Sequence, residues 1–258
     1  MCVVMKLTDK VKKQTDGKVA IVDADSLIYR VSFANEKDGV LTGNKADAID
    51  MLHYLIDDIT MRCRATDIEF HLTSGRNFRY DKAVTVPYKG NRKDLDKPRL
   101  YSDILKYFLT KLKAKLHTEI EADDAVRIRS VELGDRCVIV AVDKDLLMCK
   151  GLHYNYVKGE FQRISELDGY RNFYTQMLTG DKTDGILGLK GIGAVKAGKI
   201  LVGCETEEDM FKATLEAYRQ HGLSDDRFIE NTSLLWLLEY NGQDKGAEML
   251  QRIQNGKE

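Results

Sequence analysis

Acidic side chains recur in four short clusters along this chain of 258 residues. If the fold brings the clusters into one cleft, the repulsion between the carboxylates and their lost hydration must be offset by cations. Carboxylate oxygens with retained water suit Mg²⁺ or Mn²⁺, whereas Zn²⁺ favours thiolates and imidazoles, and the Cys and His residues here show no ligand spacing. The clusters therefore predict a site for hard divalent cations formed by Asp23, Asp25, Glu121, Asp123, Asp124, Asp143, Asp145, Asp181 and Asp184.

The spacing within each cluster carries part of this prediction. A lone Asp after a strand is usually a helix cap or a turn residue, so the argument depends on the whole set. Residues two apart on an extended backbone point to one face, as expected for Asp23 with Asp25 and for the pair 143 and 145. Residues three apart share one side of a helical turn, as expected for the pairs 121 and 124, and 181 and 184.

The apolar pattern predicts an α/β fold with a mostly parallel central sheet and helices on both faces. Strands are expected at 18–23, 67–73 and 138–142, and helices at 26–30, 46–63 and 99–116. Nearly continuous apolar strands that alternate with helices are typical of such a sheet, whose functional sites lie at the carboxyl ends of the strands. Two of the acid clusters follow predicted strands and are expected at that edge.

The expected organisation is a mobile lead-in at 1–17, an α/β core at 18–169 with a projecting basic segment at 76–99, and a helical region at 170–258. No apolar run approaches the roughly 18 residues needed to span a bilayer, and none resembles a signal peptide. Five cysteines without framework spacing fit a reducing compartment. We therefore expect a cytoplasmic protein with no membrane partner, in the host cytoplasm if it is phage-encoded.

Positive charge is concentrated in one part of the chain. The net charge is −1, yet residues 76–115 contain twelve Lys or Arg against four Asp. Charge runs usually form solvated helix faces, but in 76–99 the aromatic residues Phe78, Tyr80 and Tyr88 interleave with the bases. Bases combined with stacking surfaces favour contact with a nucleic-acid strand. The expected contacts include Arg76, Arg79, Tyr88, Lys89, Arg92 and Lys93.

A glycine-rich turn at 188–197 has the form of a helix-hairpin-helix motif. Gly191 and Gly193 allow a tight backbone, and the amide groups at the start of the next helix can face a phosphate. The pattern predicts sequence-independent binding to a DNA backbone through this turn and the neighbouring Lys190, Lys196 and Lys199.

Taken in order, the acid clusters, basic segment and hairpin resemble the 5′ nuclease family, which comprises flap endonucleases, the 5′ nuclease domain of bacterial DNA polymerase I and stand-alone phage 5′-to-3′ exonucleases. The likeness covers about residues 18–240 and is greatest to the phage branch. Its most specific motifs are 22–25, 88–92, 121–124, 142–145, and 180–184 followed by the 191–193 turn.

The resemblance implies a role for each part of the site. Asp23, with the acids at 121 and 123, would hold one of two Mg²⁺ or Mn²⁺ ions, and those at 143, 145, 181 and 184 would hold the other. Lys89 and Arg92 would stabilise the scissile phosphate from one helix face, and Tyr88 would stack on a terminal base. The hairpin would grip duplex DNA with a K⁺ ion. The implied substrates are DNA with 5′ ends, nicks or flaps and RNA primers on DNA, with replication proteins as possible partners.

Two features depart from the family pattern. The usual Asp after the second strand is missing, since only Thr73 or Ser74 stands there, and Asp25 or water is expected to substitute. The stretch from Arg92 to the next helix is also short for a long helical arch, which argues against threading of a 5′ strand through a closed portal.

Two other functions remain open. A strand followed by Asp-x-Asp also fits a haloacid dehalogenase-type phosphohydrolase with Asp23 as covalent nucleophile. That family usually has Thr or Val two residues after the second Asp, where this chain has Leu27, and it explains neither the hairpin nor 88–92. The second alternative function is that of a non-catalytic helix-hairpin-helix DNA-binding protein. Against it, a cluster of acids without metals would repel the phosphates of DNA.

Overall fold

A six-stranded sheet forms the centre of the protein in this computed structural model, which describes residues 17–92 and 96–256, with only the backbone of Arg92. The strands are β1 (Lys18–Asp23), β2 (Glu36–Lys37), β3 (Val40–Leu41), β4 (Ala65–Thr73), β5 (Lys115–His117), β6 (Cys137–Val140), β7 (Gly151–Asn155), β8 (Glu160–Ile164), β9 (Gly180–Asp181) and β10 (Ile186–Leu187). The helices are α1 (Asp25–Ala34), α2 (Lys45–Cys63), α3 (Arg79–Lys82), α4 (Tyr101–Thr110), α5 (Ala122–Leu133), α6 (Glu166–Thr179), α7 (Ala194–Ile200), α8 (Glu207–Gln220), α9 (Asp225–Leu235) and α10 (Lys245–Asn255).

The strand order of the main sheet is β5-β4-β1-β6-β7-β8. All neighbouring strands run parallel except β8, which pairs antiparallel with β7. The two remaining strand pairs, β2 with β3 and β9 with β10, form separate small antiparallel ribbons. The carboxyl ends of the four central parallel strands therefore share one edge.

Both faces of the sheet are covered, as predicted. Because side chains alternate along a strand, Val22 and Val140 pack on one face and Ile21 and Ile139 on the other. The first face packs against α1, α2 and α4. The second packs in a continuous core that also takes in α5, α6 and the helices that follow, with Trp236 buried in it. The C-terminal helices thus share a core with the sheet.

The predicted strands correspond to β1, β4 and β6, with small shifts of their ends, and the predicted helices at 26–30 and 46–63 lie within α1 and α2. The predicted helix 99–116 is wrong at its C-terminal end. There, α4 ends at Thr110, Lys113 adopts a left-handed φ of 57°, and the amide of Ala114 donates to the Phe108 carbonyl. The chain then enters β5. The predicted lead-in lies outside the described residues except for residue 17.

No helix in the described part of the chain is long and apolar enough to cross a membrane.

Candidate active site

The acid clusters meet at the carboxyl edge of the sheet, as predicted from the sequence. Asp23 ends β1, Asp25 begins α1, and Asp143 follows the end of β6. The cleft between them has a volume of about 600 Å³, and seven of the nine predicted ligands line it: Asp23, Asp25, Glu121, Asp123, Asp143, Asp145 and Asp184. Asp181 instead faces a small adjoining cavity shared with the side chains at 123, 145 and 184.

The local geometry that gathers these acids differs from the prediction. Neither Asp-x-Asp pair lies on one extended strand, because the second residue of each begins a helix, α1 for Asp25 and a short 3₁₀ helix for Asp145. In each pair the first carboxylate accepts a hydrogen bond from the second amide, at 3.2 Å from Asp25 to Asp23 and 2.9 Å from Asp145 to Asp143. The pair 181 and 184 lies in a turn between β9 and β10 rather than in a helix.

Negative charge in the cleft is only partly compensated. Burial, followed by repulsion from Asp25 and Asp143, raises the pKa of Asp23 to about 8. Burial and the neighbouring acids raise the pKa of Asp145 to about 7, and the same causes raise that of Asp123 well above its ordinary value. Such groups become fully ionised near neutral pH only if a cation joins them.

Glu121 lies at the N-terminus of α5 and connects three segments. Its carboxylate accepts hydrogen bonds from Lys89 Nζ at 2.5 Å, Asn77 at 2.8 Å and the Tyr88 hydroxyl at 3.0 Å. Burial acts to raise the pKa of Glu121, but the charges of Arg79 and Lys89 bring it below its ordinary value. Glu121 is therefore held as a carboxylate inside the cleft.

The turn 181–184 is fixed by similar contacts. Asp181 accepts hydrogen bonds from Lys144 Nζ at 2.9 Å and from the amide of Thr183 at 2.7 Å. Asp184 accepts one from the Tyr88 hydroxyl at 2.9 Å, and Lys89 Nζ lies 3.7 Å from it. Two lysines thus already contact the predicted ligands.

Arg79 and Asp124 do not fit their predicted roles. The Arg79 side chain is 1% exposed and forms a two-point ion pair with Asp124 at 2.6 and 2.8 Å. It also donates to the carbonyls of Leu234 and Trp236. Asp124 is fully buried and additionally accepts from the amide of Leu238. The pair joins α5 to the end of α9, and neither side chain lines the acid cleft.

Tyr88 also differs from its prediction. Its ring is 3% exposed and therefore offers no face to a terminal base. Lys89 has a left-handed φ of 52°, and a single 3₁₀ turn, Gly90–Arg92, follows it, so positions 89 and 92 do not share a helix face. The Arg92 side chain and Lys93 lie outside the described residues. Arg76 is exposed and pairs with Asp81.

The hairpin residues lie in a surface turn. Gly191 has a φ of 78°, a left-handed conformation that favours glycine, and Gly193 caps α7. Ala197 is completely buried, consistent with close helix packing, and Lys196 Nζ donates to the Gly191 carbonyl at 2.9 Å. Lys190 and Lys199 are exposed on the same turn and helix.

The missing Asp after β4 has a structural counterpart. The amide of Thr73 donates to both oxygens of the Asp25 carboxylate, at 3.3 and 3.1 Å. The Thr73 hydroxyl meanwhile accepts from the amide of Ala122 at 2.9 Å and so caps α5. Asp25 thus brings a carboxylate to the end of β4, as the sequence-based hypothesis of a substitute requires.

The donor set fits hard divalent cations, because the side-chain donors lining the cleft include seven carboxylates and neither imidazole nor thiolate. Among the described residues, no three His, Cys, Asp or Glu side chains are already arranged to hold an ion. Lys89 Nζ pairs with Glu121 in the cleft, and Lys144 Nζ pairs with Asp181 beside it.

Sequence reasoning missed several side chains at the site, and four of them contact or lie beside the predicted ligands. Lys144 and Tyr29 line the cleft, Asn77 donates to Glu121, and Gln176 donates to Asp145. The position of Lys144 between two predicted ligands was a usable signal. Tyr29, Asn77 and Gln176 gave no signal in the sequence, because their contacts depend on how α1, α6 and the 74–78 loop pack.

Comparison with solved structures identifies the fold. The bacteriophage T5 flap endonuclease, in a pseudo-enzyme–product complex with DNA and metal ions, superposes with a TM-score of 0.63 at 17% identity, over 92% of this chain and 98% of that one. A T5 5′-exonuclease mutant gives 0.60 at 18% identity, over 94% and 100%. The catalytic core of Rad2 with DNA substrate gives 0.51 at 15% identity, over 94% and 73%.

A scan of protein-family models and a search of curated proteins each found no match to the chain. The comparison with solved structures is therefore what relates this chain to known proteins. At identities of 15–18%, that comparison establishes the fold. The protein has the fold of the 5′ nucleases. More particularly, its fold is that of the T5 5′-exonuclease, so the resemblance predicted from the sequence is confirmed at the level of the fold.

Proposed function

We propose that the protein is a divalent-metal-dependent nuclease that hydrolyses phosphodiester bonds at or near the 5′ ends of DNA. The observation that carries this proposal is the meeting of seven carboxylates from four distant segments in one cleft, beside Lys89. Those residues belong to a fold shared with nucleases that were crystallised with DNA and metal ions.

The chemistry follows from the charges. Divalent ions held by the carboxylates would activate water and stabilise the leaving oxygen of the phosphodiester. Lys89, released from Glu121 as the ions bind, would place its ammonium group against the phosphate. The Tyr88 hydroxyl is hydrogen-bonded to Glu121 and Asp184 and would hold these two carboxylates in position. Mg²⁺ or Mn²⁺ are the proposed ions.

DNA contact is proposed for the surface near the hairpin. Lys190 and Lys199 are exposed there, and backbone contacts of this kind bind without reading sequence. A K⁺ ion at the hairpin would have to share the Gly191 carbonyl with Lys196. We further propose flap cutting, removal of RNA primers from DNA and a role in replication, in the cytoplasm and beside replication proteins.

The test is the product pattern from end-labelled blunt, nicked and flapped duplexes with Mg²⁺. We expect cleavage near the 5′ end by the wild type, none with EDTA and severe loss in Asp143→Asn. A matched control is Asp135→Asn, which changes an Asp outside the cleft whose side chain is 96% exposed. Unimpaired cleavage by Asp143→Asn would reject the metal mechanism. Hydrolysis of small phosphomonoesters alone would favour a phosphohydrolase, and DNA binding without cleavage would favour a binding protein.

A further inference from the structure

Gln176 on α6 contacts one of the acids of the cleft without lining the cleft itself. Its side-chain amide donates a hydrogen bond to Oδ1 of the Asp145 carboxylate. Gln176 is buried and is not among the residues that form the cleft wall, so it is not placed to touch substrate or ions. Any effect of Gln176 on the proposed reaction must therefore act through Asp145.

In the described part of the chain, the Asp145 carboxylate has a single hydrogen-bond partner. Gln176 donates to Oδ1, and no described residue donates to Oδ2. Elsewhere in the cleft, Glu121 pairs with the ammonium group of Lys89. An ammonium group neutralises charge that a metal ion needs, whereas a neutral amide orients the carboxylate and leaves its charge in place. Gln176 therefore fixes Asp145 while one oxygen and the negative charge remain available to a cation.

The hydrogen bond belongs to a close packing of α6 against the short 3₁₀ helix at 145–148. Gly169, Asn172 and Gln176 are spaced by three and four residues and so lie on one face of α6. A Cβ atom on Gly169 would lie 2.4 Å from the Met148 carbonyl oxygen, which shows that the two helices approach at backbone distance. The Asn172 amide donates to the main chain of the 3₁₀ helix at 2.7 Å. This face of α6 therefore sets the position of the 3₁₀ helix, and Gln176 adds the orientation of one carboxylate.

The same helix leads into a second group of predicted ligands. α6 ends at Thr179, and Asp181 follows two residues later in β9. Gln176 thus relates Asp145, which comes from the segment after β6, to the acids of the 181–184 turn. We propose that Gln176 is a positioning residue that orients the Asp145 carboxylate towards one of the two metal ions. The proposal rests on the proposed nuclease function and adds a residue to its metal site.

The experiment measures Ca²⁺ binding by calorimetry, without DNA, in the wild type and in Gln176→Met, which keeps the length of the side chain and removes the donor. We expect the dissociation constant to rise about tenfold or more, as for other residues that orient metal ligands. The Mg²⁺ concentration for half-maximal cleavage of a flapped duplex should rise by a similar factor, while KM for DNA at saturating Mg²⁺ stays unchanged. Asn172→Leu is the matched control, because it removes an amide donor to the same 3₁₀ helix but none to a carboxylate. Its Ca²⁺ affinity should equal that of the wild type.

A second variant, Gln176→Leu, also lacks the donor and should show the same loss of Ca²⁺ affinity, so the test stands if Gln176→Met does not fold. An unchanged Ca²⁺ affinity in a folded Gln176 variant, or an equal loss in Asn172→Leu, would overturn the positioning role while the nuclease function stands. A wild type that binds Ca²⁺ but cuts no DNA would defeat the nuclease function, and calorimetry would still decide the role of Gln176. A wild type that binds no divalent ion would reject both.

Discussion

Lys89 holds its ammonium group 2.5 Å from Glu121 and 3.7 Å from Asp184, inside the acid cleft. In this arrangement it compensates carboxylates that the proposed ions would otherwise neutralise. Once the proposed ions neutralise these carboxylates, the ammonium group can turn towards a phosphate, whose negative charge is redistributed in the transition state. The contribution of Lys89 should therefore be larger in the transition state than in the bound substrate.

Lys89→Ala should lower kcat by about a hundredfold or more while KM changes little, as for other groups that stabilise developing charge. Steady-state cleavage of a flapped duplex measures both constants. Lys106→Ala, which removes an exposed lysine of α4, should leave them unchanged. An equal loss of affinity and rate would mean that Lys89 only binds substrate.

Asp124 tests the difference between a structural acid and a metal ligand. Asp124→Asn would leave the Arg79 guanidinium buried without its counter-charge, and the loss of one partner of a buried pair costs about 3–5 kcal/mol. We expect the free energy of unfolding to fall by that amount in urea titrations with EDTA present. If Asp124 were instead a metal ligand, its replacement would cost little stability without metal.

At the scale of elements, the sequence predicted three of the six strands of the main sheet, β1, β4 and β6, and the runs of β1 and β6 were clear because these two strands are largely buried. It did not predict β5, β7 and β8, of which the two edge strands β5 and β8 are largely exposed. The apolar runs that end at Asp23 and near Asp143 show no helical periodicity, so they could be assigned as strands. Because these two strands pair in parallel, both acids lie at one edge of the sheet. The end of α4 was not predictable in the same way. Lys113 adopts a left-handed conformation without being glycine, and no proline or glycine marks the transition to β5.

The role of Asp124 could not be predicted either, because it depends on contacts between distant segments. Its spacing from Glu121 predicted one shared face, and both residues do form the capping box at the start of α5. Which way the side chain turns depends on Arg79, whose burial follows from the packing of α9. Contacts between segments more than a hundred residues apart, such as that of Asp124 with Leu238, leave no local pattern in a sequence.

Two loops of the site are joined by hydrogen bonds between elements. Asn91 donates to the carbonyls of Lys182 at 3.0 Å and Thr183 at 3.3 Å, and the amide of Lys89 donates to the Asp184 carbonyl at 2.8 Å. These bonds set the position of the basic segment relative to the acids of the 181–184 turn. Small displacements of reacting groups are costly to catalysis.

Asn91→Ala should therefore lower kcat about tenfold with a smaller change in KM, because Lys89 is held less firmly over the acids. The side chain is exposed, so thermal unfolding should be almost unaffected. Asn255→Ala, an exposed Asn of α10, is the matched control. An unchanged kcat would show that the amide of Lys89 alone aligns the two loops.

For the whole molecule, the acid cleft makes stability depend on pH and metal together. The carboxyl groups with raised pKa values keep their protons to a higher pH in the folded state than in the unfolded one. Their contribution to stability is therefore greatest below about pH 4 and is lost as the pH rises through the folded values, about 7 for Asp145 and about 8 for Asp23.

The buried His71 changes the pH dependence of stability in the opposite direction, and its pKa determines the pH range in which the cleft can be tested. Burial and the nearby His117 lower the pKa of His71 to about 4 from an ordinary value of 6.5. Its contribution to stability is present above pH 6.5 and is lost as the pH falls towards 4. Between pH 6.5 and 8 the unfolded form of His71 releases its remaining protons, which raises stability slightly, so a fall in stability over this range reports the carboxyl groups of the cleft.

With EDTA, the midpoint of thermal unfolding should therefore be lower at pH 8 than at pH 6.5. Mg²⁺ at about a hundred times its dissociation constant should raise the midpoint by about 5–10 °C at pH 8, and by less at pH 6.5, because it binds the ionised folded state. Asp23→Asn, which removes a buried charge, should flatten the metal-free slope and weaken the response to Mg²⁺. A metal-free midpoint that stays level from pH 6.5 to 8 would mean that these carboxylates are not close enough to need a cation.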